Sequence, residues 1–200
     1  IPFDYYKNVK VDARGNPVNP DTFKGKDRLT DFGISNIPGI QGLLWSETVI
    51  NSDRMEYMIL PKLLGLAERA WAQDPAWATE KDLAKAEAMY ADAWSTFCNV
   101  LGKREMPRLD YLSGGYNTRI PTAGAKVENG TLTANVQLPG LIRYTINGDE
   151  PTLKSPVYNG PIQAGGKTVK LKVYSPKGHG GRTTAVKVPQ PDSQLKNIKL

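Results

Sequence analysis

The hydrophobic period of this 200-residue chain changes near Tyr116, from three- and four-residue steps to strict alternation. A helix-period segment cannot pack as a strand, so the change rules out one uniform architecture and points to two domains. Composition shifts at the same place. All four tryptophans, all four methionines and Cys98 lie before Tyr116. From Arg119 onward there are 12 basic and 4 acidic residues, whereas the first 118 residues hold 14 basic and 16 acidic. The Ser113-Gly114-Gly115 break, bracketed by Pro107 and Pro121, marks the expected boundary. The expected division is 1–115, 116–190 and a frayed tail at 191–200.

The second part reads as an all-β sandwich of immunoglobulin-like type. Val127 leads into Asn129-Gly130, the strongest short hairpin signal. Strands are expected at 132–138, 142–146, 169–175 and 183–188. In the third of these, Lys170 and Lys172 alternate with Val169, Leu171 and Val173, which sets lysines outward and aliphatics inward.

The first part reads as α/β. Ile1 to Pro38 is rich in turn residues and is expected to be a long loop. A helix is expected over Arg54–Trp71, with Met55, Ile59, Leu63, Leu66, Ala67 and Ala70 forming its apolar stripe. Asp53 with Glu56 makes a capping-box arrangement, Asn51 and Ser52 are alternative caps, and Pro61 marks a kink or restart. A second helix is expected from a Thr79 cap to a Gly102 stop. Its stripe runs through Leu83, Ala86, Tyr90, Ala93, Trp94, Phe97 and Leu101, and reads as core packing. Cys98 falls on this helix and reads as a small buried hydrophobe.

Between loop and helix lies the apolar run Gly39-Ile40-Gln41-Gly42-Leu43-Leu44-Trp45-Ser46-Glu47-Thr48, expected to be a strand at Gly42–Trp45. At strand spacing Trp45 and Glu47 point to the same side. An indole stacks on the C–H face of a sugar ring while a carboxylate accepts bonds from its hydroxyls, so the pair suits a sugar pocket. One core aromatic beside one solvated acid is the plainer alternative. Strand, loop and helix make one unit of an α/β barrel or sheet, in which strand C-termini carry the ligand groups.

Leu44-Trp45-Ser46-Glu47-Thr48, Met55-Glu56-Tyr57-Met58-Ile59-Leu60-Pro61 and Leu66-Ala67-Glu68-Arg69-Ala70-Trp71 resemble the last β/α unit of bacterial chitobiases, β-N-acetylhexosaminidases of glycoside hydrolase family 20. Asn99 to Glu105 and Tyr116 to Pro121 are similar to the segment joining that barrel to its C-terminal domain. Tyr144 to Thr152, with Ser155, Tyr158 and Pro161-Ile162, resembles the C-terminal domain itself. The resemblance implies a fragment of a TIM-type α/β barrel followed by the sandwich. A whole barrel needs roughly 250 residues, and the chain begins at Ile1, so it reads as a piece of something longer.

The resemblance also implies chemistry. Hydrolysis in this family is substrate-assisted and retaining, with the sugar's 2-acetamido oxygen attacking C1. An Asp-Glu pair on an earlier strand supplies acetamido orientation and the general acid. The only such dipeptide here, Asp149-Glu150, sits in a turn of the sandwich and does not take that role, and neither Tyr5 nor Tyr6 matches the family's supporting tyrosine. No catalytic residue is therefore expected in this chain, and the isolated chain is expected to be inactive. Carried over as substrate-binding are Trp45, a wall for the terminal non-reducing N-acetylhexosamine, and Glu47, an acceptor for its O4 and O6 hydroxyls. Expected partners are an N-acetylglucosamine-containing oligosaccharide and the rest of the barrel. Neither a cofactor nor a metal is implied. The location implied is periplasmic, outer-membrane-associated or secreted.

Other classes fare less well. Positive charge in the sandwich is spread as single lysines with three tyrosines, Tyr144, Tyr158 and Tyr174, which is poor material for a nucleic-acid stacking platform. No apolar run approaches the ~20 residues of a membrane span. His179, the only histidine, stands among glycines with no metal-ligand pattern around it and reads as a turn residue. The serious alternative is a non-catalytic carbohydrate-binding or structural accessory module, and for the second domain a structural role is favoured.

Overall fold

A computed structural model describes residues 30–73 and 75–191. The chain divides into two compact units between Thr96 and Phe97. Among the described residues, no helix is long and apolar enough to cross a membrane.

The first unit is helical. A short helix, α1 (Asp31–Ser35), interrupts the expected loop; residues 1–29 lie outside the described residues. The helix expected over Arg54–Trp71 restarts at Pro61, one of the two outcomes expected there: α2 (Ser52–Ile59) and α3 (Lys62–Trp71) are separated at the proline, which has no N–H to continue the ladder. The cap of α2 is Asn51, whose side chain accepts from the Arg54 N–H at 2.8 Å, and not Asp53. After α4 (Ala76–Thr79) comes the long helix α5 (Leu83–Val100). Asp82 caps α5, its Oδ1 accepting from the N–H groups of Ala84 and Lys85 at 2.9 and 3.1 Å; the cap expected at Thr79 is thus displaced by the acid nearer the first turn. Trp77 packs edge-on against Tyr90, centroids 5.2 Å apart at 85°, and both are buried together with Ala86. At the other end of the stripe Leu83 is exposed.

The expected strand at Gly42–Trp45 is not formed: residues 37–46 carry no regular secondary structure. A strand exists only where a neighbour takes its N–H and C=O groups, and no described strand pairs with this run. The apolar run is instead laid along α3. Gly42 allows this, since a Cβ there would stand 2.6 Å from Leu66 Cδ2.

The second unit starts in the last turn of α5 and continues without the stop expected at Gly102. A π-helical turn (Leu101–Glu105) carries the chain into α6 (Met106–Tyr111). Gly102 is in helical conformation, and its missing side chain admits Pro139, whose Cδ would be 2.5 Å from a Cβ. Close packing, not helix termination, accounts for this glycine.

Six strands follow: β1 (Gly124–Glu128), β2 (Thr131–Asn135), β3 (Leu141–Thr145), β4 (Ile162–Gln163), β5 (Thr168–Tyr174) and β6 (Thr184–Lys187). They form two antiparallel three-stranded sheets, ordered β1-β2-β4 and β3-β5-β6. Asn129 and Gly130 both have positive φ, 47° and 74°, the conformation a tight β1–β2 hairpin requires. Leu132 and Ile162 of one sheet, and Ile142, Val169, Leu171 and Val173 of the other, are buried and make the core. Hydrogen bonds tie the sheets: the Thr184 hydroxyl donates to the Ala123 carbonyl, and the Ala134 N–H to Tyr158 Oη. The tail expected beyond 191 lies outside the described residues.

Cys98 is buried, and burial pushes its thiol up to about 11. Iodoacetamide at pH 8 is expected to leave Cys98 unmodified in the folded chain and to alkylate it fully in urea. Stoichiometric labelling of the folded chain contradicts this placement.

Candidate functional site

Turn chemistry presents Trp45 and Glu47. The Val49 N–H donates to the Ser46 carbonyl at 2.9 Å, reversing the chain directly after the apolar run. Asn51 then starts α2, so run, turn and helix follow one another without slack. Trp45 is 73% exposed, and its indole forms one wall of a groove of about 240 Å³. Loop residues Gly42 to Leu44 make that side; Met58, Ile59, Lys62, Leu63 and Leu66 of the two helices make the other. Glu47 is exposed in the adjacent turn and does not line the groove. The structure thus gives the indole a concave apolar setting with one cation, Lys62, and holds the carboxylate on neighbouring, solvated backbone. Same-side presentation at strand spacing does not apply, because the run is not a strand.

Asp149-Glu150 lies where the sequence reading put it, in a turn after β3. The Thr183 hydroxyl donates to Glu150 Oε1, and Lys172 and Lys170 approach its carboxylate at 3.3 and 3.7 Å. The Thr183 bond first, then Lys172 and Lys170, hold Glu150 below the usual carboxylate range. A group held ionised in this way is unsuited to donating a proton near neutrality. The depressed value means the interaction is present above the unfolded-state pKa and is lost as pH falls through the folded one. Thr183→Val is expected to shift the Glu150 titration midpoint upward, read from its carboxyl ¹³C signal. An unchanged midpoint contradicts the hydroxyl's role.

Sequence reasoning missed the surroundings of His179. Its Nδ1 stands 3.7 Å from Oδ1 of Asp110, a carboxylate buried under the loop after β5. No periodic or motif signal joins α6 to that loop, so the pairing is legible only in three dimensions. Among the described residues there is no cluster of three or more His, Cys, Asp or Glu side chains able to hold a metal. The three tyrosines of the β unit present no open stacking face: Tyr144 and Tyr158 are half-buried, and Tyr174 is buried with its hydroxyl donating to the Pro151 carbonyl at 2.7 Å.

Comparison with known proteins bears on both units. Residues 5–74 match the glycosyl hydrolase family 20 catalytic domain, and residues 105–183 match the chitobiase/β-hexosaminidase C-terminal domain. An N,N′-diacetylchitobiase of Vibrio harveyi is 34% identical over 151 residues, covering 70% of this chain and 16% of that protein. A β-hexosaminidase of Vibrio vulnificus is 32% identical over 128 residues, covering 55% of this chain and 15% of its own length. One from Porphyromonas gingivalis is 28% identical over 169 residues, covering 81% of this chain and 19% of that protein. The chain therefore spans less than a fifth of the length of each of these relatives. Trp45 and Glu47 fall inside the segment matching the catalytic domain; strands β1 to β5 lie within the segment matching the C-terminal domain, and β6 starts one residue beyond it. With its first segment matching the catalytic domain and its second the chitobiase/β-hexosaminidase C-terminal domain, the chain belongs to glycosyl hydrolase family 20.

Proposed function

We propose that this chain is the closing portion of the (β/α) barrel of a β-N-acetylhexosaminidase, residues 1–115, followed by an immunoglobulin-like sandwich, residues 116–190. In this reading the whole enzyme removes terminal non-reducing N-acetylhexosamine from chitobiose, chitooligosaccharides or glycoconjugates. Trp45 stacks on the sugar ring, and Glu47 accepts from its O4 and O6 hydroxyls. The sugar's acetamido oxygen attacks C1, and the Asp-Glu pair that orients it and protonates the leaving group lies on strands outside this chain. The observation that carries the reading is an exposed indole on a concave apolar wall, next to a solvated carboxylate, within the segment that matches the catalytic domain.

The first unit supports the remaining barrel as its partner. Phe32, Ile50, Trp71 and Leu83 are each more than 75% exposed, an apolar surface that further strands and helices would cover. In that setting the Gly42–Trp45 run gains the neighbours a strand needs, and Trp45 and Glu47 come to one side of it. A periplasmic, outer-membrane-associated or secreted location suits an enzyme of this substrate class. The β unit is a structural module; the engaged tyrosine hydroxyls favour that role over carbohydrate capture.

The 200-residue chain alone is expected to release no chromophore from a 4-nitrophenyl N-acetylglucosaminide, while the enzyme containing it does so readily. Hydrolysis by the pure chain contradicts the assignment of the proton-transferring groups to the rest of the barrel.

A further inference from the structure

We propose that a cleft of the β unit, walled by Lys103, Arg143 and Lys177, is a binding site for an oxyanion group of the sulfate or phosphate type on a small ligand. The cleft has a volume of about 520 Å³, large enough for a sugar-sized molecule. Lys103 stands on the π-helical turn, Arg143 on β3 and Lys177 in the loop after β5. Three elements far apart in sequence thus bring three cations to one concavity, and none of the described residues lining it is acidic.

Several cations of this unit are neutralised locally: Lys126 pairs with Glu128 at 2.7 Å, and Lys170 and Lys172 pair with Glu150. The three cleft cations differ. None has a carboxylate within ion-pair distance among the described residues. Arg143 donates through Nη1 to the neutral Ser155 carbonyl, and its Nε is buried with no acceptor among the described residues. Lys177 donates to the Asp110 main-chain carbonyl at 2.6 Å and lies 5.2 Å from the centre of the Tyr111 ring. These contacts hold both heads in place, and none of them is an ion pair. Like charges gathered around one concavity repel, and an oxyanion among them relieves that repulsion.

The chemistry favours a tetrahedral anion. A guanidinium offers a planar fork of donors, and two ammonium groups add point charges that need no fixed geometry. Leu141 and Leu153, both exposed on the cleft wall, give an apolar flank for the body that carries the anion.

The test is an amide NMR titration of the 200-residue chain at constant ionic strength, with sodium sulfate, N-acetylglucosamine 6-sulfate and neutral N-acetylglucosamine as probes. Saturable shifts are expected at Gly102, Lys103, Gly140, Lys177 and Gly178 with both sulfates and none with the neutral sugar. Tighter binding of the sulfated sugar identifies an ester as the occupant, and equal binding identifies the free ion. Arg143→Gln is expected to weaken binding at least tenfold. Lys103→Gln alters an exposed side chain with little risk to folding and is expected to weaken it at least threefold, whereas Lys187→Gln on β6 changes nothing. Shifts that rise without saturation across all lysines, or unchanged affinity in Lys103→Gln, overturn the proposal.

Discussion

Leu171→Ala is expected to destabilise the β unit by about 2–5 kcal/mol, lowering its folding constant by between tens-fold and thousands-fold. Leu171 is fully buried in the central strand of its sheet, opposite Tyr144 on β3 and Thr184 on β6. Truncation loses the transfer energy of three carbons and leaves a void in a close-packed core. Collapse around that void is limited, because Val169 and Val173 on the same face are equally buried and already in contact with the core. Leu153→Ala is the control: its side chain is 51% exposed, and a change within about 0.5 kcal/mol is expected. Urea unfolding followed by the tyrosine signal measures both. Equal midpoints for the two variants contradict the placement of Leu171 in the core.

The β unit was largely legible in the sequence because its signals are local. Asn129-Gly130 specifies its own turn, and the Lys170/Lys172 alternation specifies which face of β5 is buried. The two-residue strand β4 was not legible, since only pairing with Thr131 and Leu132 makes Ile162–Gln163 a strand. The first unit shows the converse. Helix interiors follow from apolar spacing, but their ends turned on which of several neighbouring polar side chains reached the first N–H groups, Asn51 over Asp53 and Asp82 over Thr79. Gly102 read as a stop because glycine ends helices and also permits close packing, and only the position of Pro139 separates the two. The Gly42–Trp45 strand depends entirely on neighbours, so its residues alone do not form it.

The site was legible as residue types and not as geometry. Trp45 lies in a groove where a sugar ring can stack, and Glu47 stays in solvent one turn away. Trp45→Ala in the whole enzyme is expected to raise KM for N-acetylglucosaminides by roughly two- to ten-fold, because stacking on an aromatic face contributes about 0.5–1.5 kcal/mol. Rescue by Trp45→Phe, which keeps a smaller aromatic face, is expected to be partial.

The central claim is that Glu47 holds the terminal hexosamine by its hydroxyls. The most direct measurement is kcat/KM of Glu47→Gln in the whole enzyme, with an N-acetylglucosaminide and its 4-deoxy analogue as substrates. Loss of a charge-assisted hydrogen bond, about 1.5–3 kcal/mol, predicts a fall of at least ten-fold for the full substrate. A smaller fall is predicted for the analogue that lacks the O4 hydroxyl, because only the O6 contact is left to weaken. Equal kcat/KM for Glu47→Gln and the unsubstituted enzyme on the full substrate would contradict the account.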